Sequence, residues 1–126
     1  MSELTNEHGV AALRWLLDHR HDLGLNEQDL ARLAAADSEP VIHAWLTGKE
    51  SVPTSVIQRL GLLLAIYRGL VEITPSGNKQ MAFEWFQRPT NLFPEFPGVS
   101  IRDYLLQNPS EATLEVANRS IKGLAL

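Results

Sequence analysis

The stretch that decides the fold is residues 54–73, TSVIQRLGLLLAIYRGLVEI. Val56, Ile57, Leu60, Leu63, Leu64, Tyr67, Leu70 and Val71 recur at the i, i+3, i+4, i+7 spacing of an amphipathic α-helix from about Thr54 to Ile73. Leu62, Ala65, Ile66 and Gly69 add a second apolar stripe on the opposite side. A helix that is apolar nearly all round must be covered by its own chain or by another. Full cover is demanding for so small a protein. The sequence therefore predicts a homodimer or an intersegment contact through Leu62 and Ile66.

On the N-terminal side, three shorter helices follow from the same period. The first runs from about Gly9 to His21, carries Val10, Leu13, Leu16 and Leu17, and stops at Leu23-Gly24, where glycine can take the left-handed conformation. The second opens on Asn26 with Asp29 three positions on, a form of the capping box, and turns Leu30, Leu33 and Ala34 inward. The third starts after Asp37 or Ser38 with Pro40 in its first turn, carries Ile42, Trp45 and Leu46, and ends at Thr47-Gly48-Lys49.

On the C-terminal side, residues 74–80 (TPSGNKQ) are turn formers without an apolar side chain, a boundary between segments 1–74 and 75–126. Beyond it come a short helix from Met81 to Gln87 and a proline-rich loop from Arg88 to Gly98. A helix capped by Ser100 follows. Last is a helix capped by Ser110 that Gly123 is expected to stop. No stretch alternates as a strand, so the fold class is all-α.

Composition narrows the function. The chain has 126 residues and 44% apolar side chains, enough for one compact domain or two very small ones. With no Cys it has no disulfide scaffold, no Cys-ligated zinc and no thiol chemistry. The longest apolar-or-glycine run, Leu60 to Tyr67, falls far short of the roughly 20 residues of a membrane span. The polar, acidic start MSELTNE is unlike a signal peptide. A soluble cytoplasmic protein that uses no membrane is expected.

The net charge of −4 argues against a generic nucleic-acid coat. That charge sits wholly in residues 1–74, with ten acids against six Lys and Arg; residues 75–126 hold five of each. Catalysis is not expected. His19 and His21, at i and i+2 of one helix, point to different faces and cannot chelate one metal, and Asp18 with Asp22 reads as a solvated face. There is no HExxH, GxSxG or glycine-rich phosphate loop. No metal and no cofactor are implied.

Two constellations remain. The second and third helices match a helix-turn-helix unit, with Leu30, Ala31, Val41, Ile42 and Trp45 packing them together. Its outward face would be Glu39, His43 and Thr47, with Ser38 and Lys49 at the ends, as candidate DNA contacts. Few cations stand there, and Arg, Lys, Asn and Gln are the usual base readers. Any DNA binding is therefore expected to be weak for one chain alone. The second constellation is aromatic. Phe83, Trp85, Phe86, Phe93, Phe96 and Tyr104 fall within twenty-two residues, in and around a proline-stiffened loop suited to presenting side chains to a partner.

These residues carry a resemblance. Leu30-Ala31-Arg32-Leu33 with Ile42-His43-Ala44-Trp45-Leu46-Thr47-Gly48-Lys49 resembles the helix-turn-helix of Xre-type antitoxins. Trp85-Phe86-Gln87-Arg88-Pro89-Thr90-Asn91, followed by Phe96-Pro97-Gly98-Val99-Ser100-Ile101-Arg102-Asp103-Tyr104-Leu105-Leu106, resembles the toxin-binding domain of the Xre/MbcA/ParS antitoxins. Together they span nearly the whole chain. This sequence departs in Pro89-Thr90-Asn91, where one residue separates the usual Pro-Asn pair, and in a longer, more aromatic loop.

The resemblance implies an antitoxin of a type II toxin–antitoxin system that neutralises a NAD-consuming RES-domain toxin. It implies repression of its own operon through operator DNA. Toxin contacts would fall to Arg88, Asn91, Phe93 and Phe96 in the loop, and to Arg119, Lys122, Gly123, Leu124, Ala125 and Leu126. The alternative is a DNA-binding transcriptional regulator without a toxin partner, whose second half dimerises or senses a ligand.

Overall fold

A computed structural model describes residues 6–91 and 93–124. The described residues are all-helical: α1 (Asn6–Asp18), α2 (Arg20–Leu23), α3 (Glu27–Ala34), α4 (Glu39–Leu46), α5 (Thr54–Ile73), a 3-10 turn (Pro75–Gly77), α6 (Lys79–Gln87), α7 (Ile101–Gln107) and α8 (Glu111–Leu124). The one extended pairing among them is the isolated antiparallel bridge between Thr90 and Val99.

Local chemistry sets most of the boundaries. Asn26 and Asp29 cap α3 reciprocally: the Asp29 amide donates to Asn26 Oδ1 at 2.8 Å and the Asn26 amide to Asp29 Oδ2 at 3.0 Å. Ser100 and Ser110 accept from the Asp103 and Thr113 amides at the starts of α7 and α8. Gly24 closes α2 in the left-handed region (φ 71°).

Several helix ends differ from expectation, and α6 starts at Lys79, inside the expected turn stretch 74–80, rather than at Met81. The single helix expected from Gly9 to His21 divides at His19, whose ring stacks on Trp15 (4.1 Å between centroids) and whose Nδ1 lies 2.8 Å from the Trp15 carbonyl oxygen. The last helix runs through Gly123 to Leu124 instead of stopping at Gly123. A helical glycine costs only about 1 kcal/mol relative to alanine, which one turn near a helix end can absorb.

Central in the bundle is α5, packed against α1, α3, α6 and α8. Gly69 lets α8 approach closely: a Cβ there would stand 2.6 Å from Ile121 Cγ2. Of the two alternatives expected at Ile66, this packing removes the dimer contact and accords with the intersegment one, since Ile66 is wholly buried by its own chain; Leu62 is half-buried. Within this chain, α1 and α8 supply much of the cover that the all-round apolar pattern demanded.

The two segments do not build separate cores. Among the described residues the apolar core is continuous from Leu13 and Leu30 through Leu60 and Ile66 to Phe83, Phe93, Leu105 and Ile121. Long-range hydrogen bonds tie the segments as well. Arg32 Nη2 donates to the Leu106 carbonyl at 2.6 Å, Arg59 Nη1 to the Pro109 carbonyl at 3.1 Å and Arg102 Nη1 to the Gly24 carbonyl at 3.2 Å. Gln87 Nε2 donates to the Asp22 carbonyl. No helix among the described residues is long and apolar enough to cross a membrane.

Candidate protein-binding site

Two surfaces hold the residues singled out by the sequence: the outer side of α3 and α4, and the end of α8 beside the 88–98 loop.

The α3–α4 pair is joined by a tight turn in which Ala35 takes the left-handed conformation (φ 61°). The Ala36 amide donates to the Ala31 carbonyl at 2.8 Å, the long bond of a Schellman closure. An alanine here costs roughly 1 kcal/mol or more that a glycine would not. Ala31 is buried where the two helices meet, and Ile42 and Trp45 anchor α4.

Outward, Ser38, His43, Thr47 and Lys49 are exposed and Glu39 is half-buried, so the structure brings the five candidate DNA contacts to one helix and its flanks. Their chemistry is poor for DNA. The Thr47 hydroxyl donates back to the His43 carbonyl at 2.9 Å. His43 Nε2 lies 3.7 Å from a carboxylate oxygen of Glu27, and Glu27 and Asp29 occupy the first turn of α3. Arginines that could serve phosphate are bonded to backbone carbonyls instead: Arg20 to Leu17, Arg32 to Leu106, Arg59 to Pro109. Phosphate neutralisation supplies most DNA affinity, and of these candidates only Lys49 is a permanent cation.

Around the 88–98 loop the outcome is mixed. The Gly98 amide donates to the Thr90 carbonyl at 2.9 Å and the Phe96 amide to the Phe93 carbonyl at 3.2 Å, folding the loop back on itself. That turn drives Phe93 (2% exposed) and Phe96 (3% exposed) inward, against the expectation that they meet a partner. Phe93 stacks on Phe96 at 5.0 Å, and Phe96 on Tyr104 at 4.3 Å. Burying an aromatic ring stabilises the fold by a few kcal/mol, and the folded-back loop allows it. Arg88 and Asn91 stay exposed, Arg88 at 4.0 Å from Glu84.

The end of α8 is different. Arg119, Lys122, Gly123 and Leu124 are all exposed, and Leu124, at 46%, is the exposed large apolar side chain among the described residues. Ala125 and Leu126 lie outside the described residues. An open groove of about 570 Å³ runs between this helix end and the loop. Val116, Ser120 and Gly123 form its α8 wall, and Phe93, Pro94 and Glu95 the other. Arg119 and Glu95 put opposite charges along it.

Val116 and Ser120 were not singled out from the sequence, although their i, i+4, i+7 spacing with Gly123 was there to be read. Nor were the contacts of Arg32 and Arg59 to the Leu106 and Pro109 carbonyls, which join residues too far apart in sequence to leave a local pattern. Among the described residues no three His, Asp or Glu converge as metal ligands. Comparison with protein-family models, curated proteins and solved structures gives no match for this chain.

Proposed function

We propose that the chain is a cytoplasmic antitoxin that neutralises a RES-domain, NAD-consuming toxin by direct binding, with no catalysis or cofactor of its own. The observation that carries this is the end of α8: Leu124 stands exposed at a groove lined by Val116, Phe93 and Pro94, with Arg119 and Glu95 along it. An exposed apolar side chain with an arginine and a glutamate along the same groove suits a buried anchor with a polar rim in a protein interface. The named partner rests on the resemblance of residues 85–106 to the toxin-binding domain of the Xre/MbcA/ParS antitoxins. Arg88 and Asn91 are the loop residues free to join the contact; Phe93 and Phe96 support it from within.

The test is whether the neighbouring gene encodes a RES-domain protein and whether co-expression of this chain restores growth against it. The full chain should restore growth and co-purify with the toxin, and a chain ending at Lys122 should do neither. Equal rescue by both, or no rescue by the full chain, would sink the proposal.

Operator binding is the second role. Its support is the exposed outer face of α4 on a helix-turn-helix pair. With so few cations there, DNA should be held by the toxin-bound assembly rather than by the chain alone. A gel shift with the upstream DNA, with and without toxin, decides it.

A further inference from the structure

A second groove, of about 670 Å³, runs along α1 and meets the α4 surface at Thr47 and Gly48. Its walls include Val10, Ala11 and Trp15 of α1, with Trp45 and Leu46 at the end of α4. Ala11 also borders a smaller hollow of about 270 Å³ toward α5, where Leu64, Tyr67 and Arg68 lie. Ala11 is exposed, so the crest between two apolar hollows carries only a methyl group. Along the same line Glu7, Ala11, Arg14 and Asp18 are exposed in turn, spaced by four, three and four. Among the described residues neither Glu7 nor Arg14 forms an ion pair within its own chain.

We propose that this face binds a second copy of the chain, with the two α1 helices antiparallel about a two-fold axis between Val10 and Ala11. A two-fold contact is self-complementary: if one residue meets another, the reverse contact is made as well. About this axis residue 7 lies opposite residue 14, so each Glu7 meets the partner subunit's Arg14. A parallel arrangement would set like charges over one another. Over Glu7, Ala11 and Arg14 the charge order acid, small, base therefore selects the antiparallel copy; Asp18 falls opposite residue 3, outside the described residues.

The small Ala11 allows the helix axes to approach to about 8 Å, and the hollows on either side receive the flanking side chains. A helix of 13 residues gives a contact roughly 20 Å long. This face is distinct from the α5 contact expected through Leu62 and Ile66, and it does not depend on the toxin.

Sedimentation velocity of the full chain over a range of concentrations tests it. The wild type should form a concentration-dependent dimer. Arg14→Glu or Glu7→Arg alone should raise the dimer Kd by about tenfold, because each turns two attractions into two repulsions. The double variant Glu7→Arg/Arg14→Glu should bring the Kd back close to that of the wild type.

Ala11→Lys should give a monomer while thermal unfolding stays unchanged. The position is exposed, and a cation four residues after Glu7 is favourable within the helix. A wild type that is monomeric throughout overturns the proposal, as does a double variant no tighter than the single ones. So does a Leu62→Gln variant that dissociates while Arg14→Glu does not.

Discussion

The 88–98 loop and the end of α8 face each other across one groove, yet they treat their apolar side chains in opposite ways. The loop folds back through the Gly98-to-Thr90 hydrogen bond and buries Phe93 and Phe96. The helix runs past Gly123 and leaves Leu124 in the open. Aromatic content therefore does not mark an exposed surface in this loop. The aromatics of the loop pack the groove's wall, and in the proposed function the recognition chemistry falls to the aliphatic and cationic end of α8.

That contrast can be broken by experiment. The largest expected effect is on stability: Phe93→Ala should cost about 3–5 kcal/mol, read as a lower midpoint in urea unfolding. A cost below about 1 kcal/mol would mean that the ring is not packed as described. Gly69→Val should cost about 1–3 kcal/mol, because the new side chain meets Ile121 and pushes α8 off α5. Its toxin affinity should fall along with its stability if α5 must hold the helix end in position. Leu124→Asp should change stability by less than about 0.5 kcal/mol, since the side chain is already exposed at a helix end. A large loss of stability there would place Leu124 in the core and reverse the comparison.

Much of this architecture was legible in the sequence, for reasons that also mark where legibility ended. The bounds of α5 follow from its period, and the caps at Asn26, Ser100 and Ser110 and the turn at Gly24 from local chemistry within four residues. What failed depends on distant parts of the chain. Ile66 looked available because nothing in residues 54–73 reveals that the bundle closes over it. Phe93 and Phe96 looked presented because proline-rich loops are usually at the surface, and the loop's closure depends on pairing Thr90 with Val99.

The exposure of the outer face of α4 was legible in the sequence. Its acidic balance was countable, but the bonding of Arg32 to the Leu106 carbonyl at the end of α7 and of Arg59 to the Pro109 carbonyl beyond it was not.

The most direct test of the central claim is calorimetric titration of the purified RES-domain toxin with the wild-type chain and with the Arg119→Glu/Leu124→Asp variant. The account predicts tight binding by the wild type, and a variant that unfolds at the wild-type midpoint but binds at least about a hundredfold more weakly. A folded variant that binds as tightly as the wild type would contradict it.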